Sequence, residues 1–159
     1  MRVQKVIGIG QLGICRPPEQ LACLGLGSCV AVILYDHQLR LGGIVHVLLP
    51  KAPAKNNASE EKYADSGTRK LIRELAARGA AKERMVAKIV GGAQMFTNLN
   101  LTYADIGRNN IAEVKKALRE FGIRVVAEDV EGNRGRSVYF DAETGKVVVE
   151  TAFSPSRTI

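Results

Sequence analysis

Short runs of apolar and β-branched residues fill the first third of the chain. Residues 2 to 9, 11 to 16, 21 to 27 and 29 to 35 are separated by glycines, by "RPPEQ" and by "GLGS", and "LGGIVHVLL" follows the turn-like "DHQLR". Runs of this length bounded by Gly and Pro predict strands. The polar stretch "PKAPAKNNASEEK" then predicts a long loop able to border a site. From Tyr63 to Arg78 the apolar positions Ala64, Leu71, Ile72 and Leu75 recur at helical spacing, and Gly79 is a natural stop. After a predicted buried strand, "MVAKIVGG", the segment "NNIAEVKKALREFG" sets Ile111, Val114, Leu118 and Phe121 on one stripe of a second helix. Asn110 with Glu113 resembles a capping box at its start, and Gly122 ends it. "IRVVAEDV", "RSVYFD" and "KVVVETA" predict three further strands, the last two joined by the turn "AETG", and residues 151–159 read as a flexible tail.

Strands interrupted by two helices predict an α+β fold, a layered α/β sandwich in which two main helices cover a mostly antiparallel sheet. A chain of 159 residues suits a single domain spanning 1–159, and 46% hydrophobic with 25% charged residues is ordinary globular usage. No apolar run reaches the ~18 residues of a membrane span, and "MRVQKVIGIG" carries no small-residue cleavage site. The expectation is a cytoplasmic protein without membrane insertion.

The formal charge of +7, from 23 basic and 16 acidic residues, favours an acidic partner. Nucleic acid fits poorly: aromatic residues make up only 5%, Trp is absent, and the cations alternate with acids in "RKLIREL" and "KKALRE". An acidic protein surface is the better match.

Cys15, Cys23 and Cys29 form an odd set with C-x7-C-x5-C spacing and no CxxC pair, which argues against a disulfide framework and against a metal site. "GIGQLG", Gly8 to Gly13, spells a dinucleotide fingerprint, but two prolines follow where its helix should run. Glycines at strand ends and bulges account for it.

Cys29 is the residue for which nucleophilic chemistry fits best. It follows "GLGS" and opens "VAVILY", and His46 is the only histidine within an apolar run. If the two runs form an antiparallel hairpin whose loop centres between His37 and Gln38, Cys29 falls opposite His46 on one face. An imidazole beside a thiol can take its proton on attack and return it to a leaving group, which is amide chemistry in outline. Gly25, Gly27, Gly42 and Gly43 would let a substrate backbone come close, and the amides of Ser28 and Cys29, with the backbone at Gly27, could point at a developing oxyanion. In "GGAQMF", Gly91 and Gly92 end a strand and are candidate substrate-binding positions, with Met95 and Phe96 offering apolar contact or core packing. Cys and His are also ordinary core residues, so spacing leaves both readings open.

The ordered set "LGLGSCVAVILYD", "GGIVHVLLP", "KYAD", "AKIVGGAQMF", "IGRNN" and "AEDVEGNRGRSVYFD" closely resembles the chemoreceptor glutamine deamidase family, CheD, from about Lys5 to Val149. The resemblance implies a single catalytic domain with a fold similar to deamidating toxins, no metal or organic cofactor, and hydrolysis of glutamine side chains on cytoplasmic helices of methyl-accepting chemotaxis receptors. It also implies Cys29 as nucleophile, His46 as base and a CheC-type phosphatase as partner. The family's third catalytic residue is a Thr six positions before the nucleophile, where this chain has Cys23. A thiol accepts the imidazole N–H weakly. Four readings stand: a weak Cys23, a backbone carbonyl in its place, a slow enzyme serving chiefly as a CheC partner, or a reversible Cys23–Cys29 disulfide.

Overall fold

The structure, a computed structural model, describes residues 3–55, 59–94 and 105–159. Its strands are β1 (Val3–Val6), β2 (Leu12–Cys15), β3 (Glu19–Leu26), β4 (Val30–Asp36), β5 (Leu41–Val47), β6 (Met85–Gly91), β7 (Arg124–Val130), β8 (Arg136–Asp141), β9 (Val147–Thr151) and β10 (Arg157–Thr158). Two helices, α1 (Ala64–Ala77) and α2 (Ile106–Glu120), interrupt them. The layered α+β fold is the expected one, with the strands divided between two sheets. One has the order β1-β3-β8-β9-β10 and the other β2-β5-β4-β6-β7. Both are mixed, because β1 pairs β3 and β6 pairs β7 in parallel while the remaining pairs are antiparallel.

Period-two alternation distributes the apolar residues between two cores. Val30, Val32 and Leu34 of β4, with Val45 and Val47 of β5, face the helices and meet Leu71, Leu75, Val114 and Leu118. Ala31, Ile33 and Tyr35 face the other sheet, where Leu21, Leu26, Val138 and Phe140 pack. Strand β4 is therefore buried on both faces along its length, which explains the uninterrupted run "VAVILYD". Each such buried Leu, Ile or Val side chain contributes about 1.5–3 kcal/mol. The helices lie close on their sheet: a Cβ on Gly67 of α1 would come 3.0 Å from Val47 Cγ1, and one on Gly107 of α2 would fall 2.5 Å from the Gly92 carbonyl oxygen.

Two expectations need correction. The second helix opens at Ile106 with Asp105 as its cap, so Asn110 is an interior, fully buried helical residue and no capping box forms. Residues 151–159 are exposed over 152–158, but β10 pairs with β9, Ile159 N–H donates to the Val147 carbonyl at 2.8 Å, and Lys88 Nζ donates to the Ile159 carbonyl at 2.6 Å. Backbone pairing on an otherwise open strand edge holds the segment.

Candidate active site

A bulge in β3 explains the "GLGS" stretch. The β3–β8 register shifts between Cys23 and Leu26, leaving Leu24 and Gly25 exposed while Cys23 and Leu26 both point inward. Gly25 adopts φ +65, a conformation that favours glycine, and its N–H donates to Ser137 Oγ at 3.2 Å. The chain then crosses from one sheet to the other through Gly27 and Ser28, and Cys29 immediately precedes β4. The cysteine therefore lies where the two sheets meet.

His46 stands on β5 beside Ala31, not opposite Cys29 as the sequence predicts. Asp36 pairs with Leu41, so the hairpin centres between Gln38 and Leu39, one residue later than expected. The physical cause is a turn over residues 37–40, with Arg40 at φ +50 and Asp36 Oδ1 accepting the N–H groups of Gln38 and Leu39 at 3.1 and 3.4 Å. Moving the centre by one residue changes the partner by two, which preserves the face. Cys29 and His46 share the face between the sheets as diagonal neighbours, a relation that typically spans about 7–8 Å between Cα atoms.

The ring of His46 is oriented by backbone. Its Nδ1 lies 3.0 Å from the Ile7 carbonyl oxygen, while Gly10 N–H donates to the His46 carbonyl and His46 N–H to the Gln11 carbonyl at 2.8 and 3.0 Å. The glycine-rich "GIGQLG" thus belongs to the loop that wraps the histidine. With Nδ1–H donating to Ile7, Nε2 is left as an acceptor; it is buried and has no hydrogen-bond partner among the described residues. Burial pulls the imidazole below its ordinary pKa, partly offset by the bond to Ile7. Cys29 is 7% exposed, and burial raises its thiol pKa, partly opposed by its own backbone N–H. Both shifts favour the uncharged forms, a thiol beside a neutral base over a preformed ion pair. Cys23 is fully buried and pushed up to about 12, by burial first and then by proximity to Cys29. All three cysteines are free thiols.

The backbone around Cys29 is clamped. Gly92 N–H donates to the Cys29 carbonyl and Ala93 N–H to the Gly27 carbonyl, each at 2.9 Å. Gly91 and Gly92, both buried, have φ +114 and +70, and a Cβ on Gly91 would lie 2.3 Å from the Cys29 carbonyl oxygen. These glycines permit close packing on the segment that carries Cys29. Ser28 and Gly27 are half-buried beside it. Gly42 and Gly43 are corrected as substrate approaches: Cβ atoms there would meet Phe140 Cζ at 2.5 Å and the Gly13 carbonyl oxygen at 2.7 Å, so their missing side chains serve internal packing. Met95 and Phe96 lie outside the described residues. Among the described residues no group of three or more His, Cys, Asp or Glu side chains could hold a metal ion, and no helix is long and apolar enough to cross a membrane.

Two elements of the site escape sequence reasoning. Nothing in the spelling of Ile7 marks its carbonyl as the imidazole's acceptor. Asn110, whose Nδ2 donates to the carbonyls of Ser28 and Leu48 at 2.9 and 3.0 Å, looks like a helix cap until the helix start is known. Its only signal is a polar residue adjoining the apolar stripe that begins at Ile111.

Fold and site together define a layered α+β protein with a candidate thiol–imidazole centre between its sheets. Residues 48–151 match the family model described as CheD chemotactic sensory transduction, a match that begins just beyond His46. The chain is 45% identical over 147 residues to the chemoreceptor glutamine deamidase CheD of Thermotoga maritima, covering 92% of this chain and 91% of that protein. It is 42% identical over 156 residues to a probable chemoreceptor glutamine deamidase CheD of Moorella thermoacetica, with 96% and 93% covered. It is also 42% identical over 142 residues to a protein of the same description from Pyrococcus horikoshii, with 89% and 88% covered. The chain belongs to the CheD family. A solved structure, Bacillus licheniformis hypothetical protein YfiH, aligns at a TM-score of only 0.41 with 20% identity, covering 74% of this chain and 47% of that one.

Proposed function

We propose that this chain is a cysteine-dependent amidohydrolase, one catalytic domain over residues 1–159, that converts glutamine side chains of methyl-accepting chemotaxis receptors to glutamate in the cytoplasm during adaptation. The observation that carries the chemistry is the orientation of His46: Nδ1 is held by the Ile7 carbonyl, which leaves Nε2 unpaired on the same face as Cys29. The names of the relatives support the substrate class.

In this reading Cys29 gives its proton to His46 Nε2 as Sγ adds to the glutamine δ-carbonyl, forming the S–C bond and an oxyanion. Collapse breaks the C–N bond, and ammonia departs with the proton from imidazolium. Water, giving a proton to the same nitrogen, then cleaves the thioester to glutamate and restores the thiol. Ile7 takes the orienting role that a Thr at position 23 would fill, so the chemistry does not depend on Cys23. The reading calls for no metal or organic cofactor. Ile9 and Leu24, 58% and 50% exposed, lie on the two segments that bracket the pair and offer apolar contact to a receptor helix.

A second reading, a docking partner of a CheC-type phosphatase with weak or no deamidation, is favoured by the depth of the sulfur: Cys29 is 7% exposed and His46 3%. Incubation with a receptor cytoplasmic fragment, followed by peptide mapping of the amide-to-acid mass gain, separates the two. Conversion by wild type that disappears in Cys29→Ala supports the enzyme. Absence of conversion together with tight binding to the phosphatase supports the partner.

A further inference from the structure

Cys29 immediately precedes β4 and His46 lies on β5, and the last direct pair of these strands is Val30 with Val47. Just past that pair, the carbonyls of Ser28 and Leu48 both accept from one group, Nδ2 of Asn110, at 2.9 and 3.0 Å. Asn110 is fully buried and comes from α2, on the other side of the sheet from the seam. Its orientation is forced, since the reverse placement would set Oδ1 against two carbonyl oxygens. Oδ1 itself is buried without a hydrogen-bond partner among the described residues. A buried carboxamide held by one half of its hydrogen-bonding capacity is a costly way to fill space, which points to a task at the carbonyls it binds.

The carbonyl of Ser28 and the N–H of Cys29 belong to one planar peptide group and point in opposite directions. Fixing the oxygen therefore fixes the direction of the hydrogen. Among the described residues no backbone carbonyl outside the strands accepts the Cys29 N–H, and that N–H opposes the burial-driven rise of its own thiol pKa, which places it toward the sulfur.

We propose that Asn110 is a positioning residue: by holding the Ser28 carbonyl and tying it to the end of β5, it aims the Cys29 amide at the oxyanion formed when Sγ adds to the substrate carbonyl. The proposal rests on the deamidase reading above and extends it to the oxyanion site. In the addition step the carbonyl π pair moves onto oxygen as the S–C bond forms, and the Cys29 N–H donates to that oxygen. Collapse returns the pair and expels ammonia. A donor that is present in the resting enzyme but matters only when negative charge develops acts on kcat more than on KM.

The test compares two reactions of the same sulfur. Deamidation of a receptor cytoplasmic fragment builds an oxyanion; alkylation by iodoacetamide displaces iodide at a saturated carbon and builds none. In Asn110→Ala, kcat for deamidation is expected to fall at least about tenfold, toward the ~100-fold loss typical of a missing oxyanion donor, with KM and the Cys29 alkylation rate within about threefold of wild type. Val114→Ala, which removes core volume from the same helix without touching Ser28, is expected to keep kcat while lowering thermal stability. If Asn110→Ala does not fold, Asn110→Ser, whose short hydroxyl cannot span both carbonyls, carries the same comparison. A kcat within threefold of wild type, or a parallel loss of kcat and alkylation rate, overturns the proposal. A wild type that alkylates at Cys29 yet leaves the fragment unconverted counts instead against the deamidase reading, and removes the proposal with it.

Discussion

The carbonyl oxygen of Ile7 lies 3.0 Å from Nδ1 of His46, and this backbone contact does what a side-chain orienter would do. It selects the tautomer with a free Nε2 and fixes the plane of the ring. Because Ile7 sits in a loop that also bonds both backbone groups of His46, the orientation is built into the chain path and is indifferent to the residue at position 23.

Cys23→Ala is accordingly expected to keep deamidase kcat within about tenfold of wild type, whereas Cys29→Ala loses it entirely. Initial rates on a receptor fragment check this. A loss at position 23 as complete as that at position 29 would return the orienting role to that side chain.

Burial holds the His46 pKa down, with the Ile7 bond partly opposing it. The acid limb of the kcat/KM profile should therefore have its midpoint below the ordinary imidazole value of about 6.5. Stability follows the same sign. The unfolded chain takes up this proton more readily than the folded state, so the full contribution is present above about pH 6.5 and is lost as pH falls below it. Thermal unfolding of wild type and His46→Gln between pH 5 and 8 separates this slope from that of the carboxylates.

The opposite sign applies to two thiols. Cys15 and Cys23 are both pushed up to about 12, chiefly by burial, so the folded state keeps protons that the unfolded chain releases. Raising the pH from about 8.5 toward 12 should progressively favour unfolding. The double variant Cys15→Ala, Cys23→Ala should show a flatter decline of Tm with alkaline pH, and an unchanged slope would refute the assignment.

Gly91 combines φ +114 with a clash of 2.3 Å between a built Cβ and the Cys29 carbonyl oxygen. Gly91→Ala is expected to cost about 1–3 kcal/mol of stability and to reduce kcat by displacing the backbone of Cys29, the proposed nucleophile. Gly145→Ala, at φ +76 with its Cβ 2.5 Å from Tyr35 Cε2, should cost similar stability and leave kcat alone. Denaturant unfolding and initial rates on the two variants make the comparison.

Much of this arrangement is legible from residue order because alternation and helical spacing are local properties. The runs that became β4, β5 and β6 and the stripe that became α2 needed no tertiary information. The face shared by Cys29 and His46 was legible for a different reason: parity survives a displacement of two residues, even though the pairing partner changes from Cys29 to Ala31. The register itself was not legible, since it depends on Asp36 bonding the turn amides and on Arg40 adopting a left-handed conformation. Division of the strands between two sheets was equally hidden, because the residue pattern predicts one mostly antiparallel sheet until the crossing at Gly27 and Ser28 is seen. Ile7 and Asn110 act through a carbonyl and through a contact between distant segments, and neither leaves a local pattern.

The bulge in β3 has a further implication for how this part of the chain can vary. Cys23 and Leu26 both face the interior only because Leu24 and Gly25 are spilled outward together. Removing one residue between them would restore plain alternation, with Leu26 still facing inward and the bulge at Gly25 lost, and exchanging Leu24 for another side chain would leave the path intact. The downstream strand would therefore keep its inward face even if this stretch gave up its extra residue.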